Sequence, residues 1–138
     1  MSTTTKPARV LLVDDHPAVI RRILGLVSAE FEVVEVLGEG ESVEAAVAEH
    51  EPDLVVLDIS LPGMTGLEVA ARLRAAEYRS KIIFLTVHED ADYARAAFNA
   101  GALGYVVKPR LATDLLPALR EALRGRRFVS PSRELEGL

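Results

Sequence analysis

The sequence predicts an α/β fold in which five βα repeats surround a parallel sheet in one domain. Three observations predict it. Val10-Leu11-Leu12-Val13, Leu54-Val55-Val56-Leu57 and Ile82-Ile83-Phe84-Leu85 are apolar at every position rather than at alternate ones, which suits strands buried on both faces. Segments of helical spacing separate them, and strands joined through helices must run parallel, with right-handed crossovers. Two of the runs end on acids, at Asp14-Asp15 and at Asp58, and the carboxyl ends of strands are where such sheets present reactive groups.

In chain order, residues 1–7 are expected to be flexible and Val10–Val13 to form the first strand. Pro17 suits a first helical turn, and a helix from Ala18 to about Glu30 would turn Ile20, Ile23, Leu24 and Val27 to one face. Phe31–Val36 alternates partially, which places that strand near a sheet edge. Gly38 and Gly40 make a turn, Ser42 is expected to cap a helix running to about His50, and Pro52 ends it. The Asp58 strand follows, then a loop containing Gly63 and Gly66, then a helix from Leu67 to Ala76. The fourth strand, Ile82–Leu85, ends at Thr86. Asp90–Ala100 is helical by composition, with Gly101 as its C-cap. Leu103–Val107 is a short fifth strand ending at Lys108-Pro109. The last helix is expected from near Thr113 to Arg124, with Leu115, Leu116, Leu119 and Leu123 as its apolar face. Pro117 would cost ~3 kcal/mol in a helix interior, so a late start that leaves it near the first turn is expected.

Composition bounds the function. The 138 residues are one domain's worth, and 49% hydrophobic content is enough for one packed core and too much for a disordered chain. No run approaches the ~20 apolar residues that cross a bilayer. Met1–Arg9 lacks an apolar stretch of signal-peptide type. Cysteine is absent, which excludes disulfides and thiolate metal sites. These features fit a cytoplasmic protein with no membrane partner. A net charge of −5 argues against the whole chain binding nucleic acid. His16, His50 and His88 share no i, i+4 spacing, so no zinc site is expected.

Asp14, Asp15 and Asp58, at the tips of neighbouring parallel strands, would crowd three negative charges. Two charges 4 Å apart repel by about 4 kcal/mol at an effective dielectric near 20. Such a cluster needs a cation, and with hard oxygen ligands Mg²⁺ is the natural one. Asp58 is then a nucleophile for phosphoryl transfer. Lys108 can neutralise it at rest and pair with a phosphate oxygen after transfer, and the Thr86 hydroxyl can take another. No GxxxxGK[ST] or GxGxxG loop is present, so the phosphate donor must come from outside.

Five segments in order then resemble the receiver domains of two-component response regulators: Val13-Asp14-Asp15-His16-Pro17, Val56-Leu57-Asp58, Leu61-Pro62-Gly63-Met64-Thr65-Gly66, Leu85-Thr86 and Gly104-Tyr105-Val106-Val107-Lys108-Pro109. The resemblance covers residues 8–128, with 1–7 and 129–138 left as flexible tails or linker. It implies a doubly wound, flavodoxin-like sheet of order 2-1-3-4-5. It implies that Asp58 accepts phosphate from a histidine kinase or phosphotransfer protein, without the chain being an enzyme beyond its own phosphorylation and dephosphorylation. Asp15 and Asp58 would ligate Mg²⁺, Asp14 would support it through water, and the Ser60 carbonyl would complete the site. Thr86 and Lys108 would contact the phosphoryl group, and Tyr105 would be the aromatic switch that rotates inward as Thr86 moves. Ser60 and His88 flank the site and are placed to tune hydrolysis of the acyl phosphate.

The Asp-Asp-His-Pro opening and the ending Gly125-Arg126-Arg127-Phe128-Val129-Ser130-Pro131 resemble receivers that carry a helix-turn-helix DNA-binding output domain in transcription regulation. That output domain is expected to be absent from this chain. Arg120, Arg124, Arg126, Arg127 and Arg133 are expected mainly to favour a helix dipole and solubility. Homodimerisation through the first and last helices, or through the Tyr105 face, stays open. The competing reading is a Mg²⁺-dependent phosphohydrolase with Asp58 as covalent nucleophile. It lacks the second acid such enzymes commonly carry two residues later, where this chain has Ser60.

Overall fold

A computed structural model describes residues 6–138. Most of the expected flexible start, residues 1–5, lies outside the described residues. Strands and helices alternate as β1 (Arg9–Val13), α1 (Pro17–Val27), β2 (Glu32–Leu37), α2 (Val43–His50), β3 (Leu54–Leu57), α3 (Gly66–Ala75), β4 (Lys81–Thr86), α4 (Ala91–Asn99), β5 (Gly104–Val107), α5 (Leu111–Leu123) and β6 (Phe128–Val129). The strands form one parallel sheet in the order β2-β1-β3-β4-β5-β6. The first five stand in the expected order, with β2 at an edge. The two-residue β6 is an addition, too short to leave a periodic signal in sequence.

The uninterrupted apolar runs have a direct cause. Leu11, Val13, Val55, Leu57, Phe84, Tyr105 and Val107 pack on the side covered by α2, α3 and α4. Val10, Leu12, Leu54, Val56, Ile83, Leu85 and Val106 pack on the other side, under α1 and α5. Each fully buried Leu, Ile or Val contributes roughly 1.5–3 kcal/mol.

Three local expectations are corrected. Helix α5 begins at Leu111, so Pro117 lies in its interior. The ring removes a donor to the Thr113 carbonyl; Thr113 is exposed, so water can serve that carbonyl instead. Burial of Leu115, Ala118, Leu119 and Ala122 on either side of the proline overrides its low helix propensity. The buried face therefore runs through two alanines, whereas Leu116 is half-buried and Leu123 is exposed. Ser42 makes no cap to α2; its hydroxyl donates to the Glu39 carbonyl (3.3 Å) within a 3-10 turn that precedes the helix. Residues 129–138 are not a loose tail. Val129 pairs with Tyr105, Ser130 is buried, and Leu135 is buried in a short 3-10 turn.

Candidate functional site

Strand register brings the acids together. Val13 lies opposite Leu57, so the residues that follow, Asp14 and Asp58, leave neighbouring strands level with each other. The Asp58 amide donates to the Val13 carbonyl (3.1 Å), and the Asp14 amide to the Leu37 carbonyl (3.0 Å). Both tips are thereby held by backbone. The loop after Asp58 is fixed at Gly66, where a β-carbon would lie 2.1 Å from the Asp58 carbonyl oxygen. Only glycine permits that approach. Thr65 then caps α3 by accepting from the Glu68 amide (3.2 Å).

Lys108 reaches this cluster from the end of β5. Its Nζ donates to Asp58 Oδ2 and lies beside Asp14 Oδ2, each at 2.9 Å. Asp14 and Asp58 are 1% and 2% exposed, so one ammonium stands between two carboxylates with almost no water. Burial works against the Lys108 charge, but hydrogen bonds and attraction from the two acids outweigh it and hold the ammonium above its ordinary range. Burial pushes the Asp58 carboxyl up; the Lys108 hydrogen bond opposes that and the neighbouring Asp14 charge reinforces it. The two directions agree with one cation shared between two anions.

His16, outside the set the sequence picked out, belongs to this cluster. Its Nδ1 lies 2.9 Å from Asp14 Oδ1 and 3.1 Å from Asp15 Oδ1. Asp14 also accepts from the His16 amide (2.8 Å). The only hint in sequence is that His16 directly follows the acid pair. Asp14, Asp15, His16 and Asp58 each offer a ligand atom, all within 4.8 Å of one another. That donor set, dominated by carboxylate oxygens, fits a hard divalent cation.

The remaining expected residues form a second layer around His88. Thr86, fully buried at the end of β4, accepts from the His88 amide through Oγ1 (3.2 Å). Ser60 Oγ lies 2.8 Å from His88 Nε2, and the Ser60 amide donates to Asp58 Oδ1 (3.3 Å). Tyr105 donates its hydroxyl to the His88 carbonyl (2.7 Å), and the His88 ring stacks on Tyr93 with centroids 4.1 Å apart. Tyr105 is fully buried here, in the cluster that also holds Leu135. Among the C-terminal arginines, Arg120 pairs with Glu30 (2.6 Å), and Arg124 and Arg126 approach Glu121 at 3.5 and 3.8 Å. Their charges are met within the chain.

A family model described as "Response regulator receiver domain" matches residues 10–120. The "Positive alginate biosynthesis regulatory protein" of Pseudomonas aeruginosa is 40% identical over 121 residues, covering 86% of this chain and 48% of that protein. The "Nitrate/nitrite response regulator protein NarL" of Escherichia coli K12 is 34% identical over 128 residues, covering 91% of this chain and 59% of that protein. This chain thus spans about half the length of the curated relatives it matches. A crystal structure titled as a two-component response regulator of the LuxR family, from Aurantimonas sp. SI85-9A1, superposes with a TM-score of 0.86 at 35% identity, covering 91% of each chain. No helix among the described residues is long and apolar enough to cross a membrane.

Proposed function

The chain belongs to the response regulator receiver family of two-component systems, and on that premise we propose that Asp58 accepts a phosphoryl group from a phosphohistidine on a histidine kinase or phosphotransfer protein. A carboxylate oxygen of Asp58 attacks phosphorus, the bond from phosphorus to the donor imidazole breaks, and an acyl phosphate remains on Asp58. The observation that supports this reading best is the Lys108 ammonium, already on Asp58 and Asp14 at 2.9 Å. It neutralises the nucleophile at rest and needs only a small shift to reach a phosphoryl oxygen. Thr86 donates its hydroxyl to a second oxygen.

Asp14, Asp15, Asp58 and the Ser60 carbonyl would hold Mg²⁺. When bound, the ion neutralises the charge that spreads over the phosphoryl oxygens. The chain's own residues do the rest by positioning, so transfer is stoichiometric and the chain is not an enzyme on other substrates. Ser60 Oγ, on His88 at 2.8 Å, occupies the position where a phosphohydrolase would carry its leaving-group acid. When Thr86 turns toward the phosphoryl group, the His88 amide loses its acceptor. The segment that receives the Tyr105 hydroxyl then shifts, and the change passes to β5. Ser60 and His88, at the mouth of the site, set the lifetime of the acyl phosphate. In a longer protein this domain would govern a DNA-binding output domain in the cytoplasm; a homodimer is one route for that control.

The test is incubation with acetyl phosphate and Mg²⁺, read by intact mass. The parent chain gains one phosphoryl group, and Asp58→Asn gains none. Equal uptake by Asp58→Asn would overturn the assignment.

A further inference from the structure

Ser60 and His88 together have the parts of a nucleophile and its base. Ser60 Oγ lies 2.8 Å from His88 Nε2, the reach at which an imidazole takes a hydroxyl proton. Among the described residues it is the one serine or threonine hydroxyl that meets an imidazole. Ser80, Ser130 and Thr65 donate instead to the Pro52 carbonyl, Asp114 and Glu68. The imidazole is held on three sides. The His88 amide donates to Thr86 Oγ1 (3.2 Å), the His88 carbonyl accepts from Tyr105 (2.7 Å), and the ring stacks on Tyr93 with the two planes 19° apart. Transfer of a phosphoryl group to Asp58 itself has no use for this pair.

The same serine adjoins the phosphoacceptor. Its amide donates to Asp58 Oδ1 (3.3 Å), and only Ile59 separates the two residues. Ser60 is exposed where Asp58 is buried. It therefore lies on the solvent side of the carboxylate, the side from which a phosphoryl group must arrive. An acyl phosphate is a mixed anhydride whose leaving group is a carboxylate, a weak base with an ordinary pKa of about 3.9. A serine phosphate would have to expel an alkoxide. Moving phosphorus from Asp58 to Ser60 is downhill for that reason and does not run back. A hydroxyl in the same chain also competes well with water, because well-placed intramolecular groups reach effective molarities of about 10⁵ M or more.

We propose that Ser60 is a second phosphoryl acceptor, fed from Asp58 with His88 as its base. The proposal rests on the phosphoacceptor reading of Asp58. Ser60 Oγ attacks phosphorus, the bond from phosphorus to the Asp58 oxygen breaks, and the bonding pair leaves with the carboxylate. The Ser60 proton passes to His88 Nε2. Nothing is oxidised or reduced, and no further reactant is consumed. The product is a phosphoserine beside a free Asp58. Its negative charge next to Asp58 repels a second phosphoryl donor. The chain then carries one phosphoryl group, durable where the acyl phosphate was labile.

The test charges the full chain with acetyl phosphate and Mg²⁺, removes the reagent, and treats samples over time with hydroxylamine, which strips acyl phosphates and spares serine phosphates. The reading is the resistant share of the label that each chain took up, with its position from peptide fragmentation. In the parent that share grows with time and maps to Ser60. Ser60→Ala leaves no resistant label. His88→Gln keeps an acceptor for the serine hydroxyl but no base, and it slows growth of the share about a hundredfold. Loss of all the parent's label to hydroxylamine, or resistant label on another residue, overturns the proposal. Growth as fast in His88→Gln as in the parent overturns the role of His88. Resistant label on Ser60 in Asp58→Asn overturns Asp58 as its source. A parent that takes up no label at all sinks the phosphoacceptor reading, and the shift with it.

Discussion

At the scale of single residues, Lys108 decides the balance of the site. It is the cation that stands between the Asp14 and Asp58 carboxyls, which are 1% and 2% exposed. Lys108→Met, studied in chelator, leaves two uncompensated buried carboxylates and should lower unfolding stability by about 3 kcal/mol at neutral pH, read by urea unfolding. Burial and the Asp14 charge then raise the Asp58 carboxyl further. A raised acid favours the folded state when protonated, so the lost stability returns as pH falls; a loss that stays constant down to pH 5 contradicts this. Asp114 has the opposite sign. Burial works against its charge, but hydrogen bonds from Arg110, Ser130 and Thr113 outweigh burial and hold it below the usual carboxylate range. Its contribution is complete above the unfolded value of about 3.9 and is lost as pH falls through the folded one. Thermal melts from pH 6 downward should therefore show a shallower acid decline for Asp114→Asn than for the parent. Asp14, Asp58, Thr86 and Lys108 were legible as strand-end residues, because each sits where an apolar run stops. His16 and Asp114 were not: neither a histidine after two acids nor an aspartate on an apolar helix face says which partner it will meet.

At the scale of elements, the turn between β3 and α3 carries the most constraint. Gly66 leaves no room for a side chain, with the Asp58 carbonyl 2.1 Å from where a β-carbon would sit. Gly66→Ala should displace the loop that holds Ser60 and cost about 1–3 kcal/mol. Phosphoryl uptake should fall with it, measured beside the parent in the same assay; full uptake in a stable Gly66→Ala chain argues against this loop setting the site. The strands were readable as elements because uninterrupted apolar runs mark burial on both faces. Boundaries were less so. The start of α5 was misplaced because propensity counts Pro117 as a break, while the packing of Leu115 and Leu119 against the sheet holds the helix through it. Strand β6 escaped notice because pairing with Leu103 and Tyr105 is a long-range property of Phe128 and Ser130.

At the scale of the whole molecule, a ligand that binds only the folded chain stabilises it by mass action. Mg²⁺ at about 100 times its dissociation constant should add about 2.7 kcal/mol, seen as a rise in Tm that chelator reverses. Asp15→Asn should remove most of that rise. An unchanged Tm for the parent in Mg²⁺ would speak against the carboxylate cluster as a divalent site. Topology was accessible only through resemblance, since periodicity identifies strands without ordering them. The observed order places β1 beside β3, and that adjacency makes the acids neighbours.

Successive residues of β3 feed opposite layers, Val55 and Leu57 one side, Leu54 and Val56 the other. The acidic tips at Asp14 and Asp58 follow β1 and β3 and lie on the seam between the layers. A substitution on one flank therefore meets the opposite flank only through the sheet between them, while the loops at the tips answer to both.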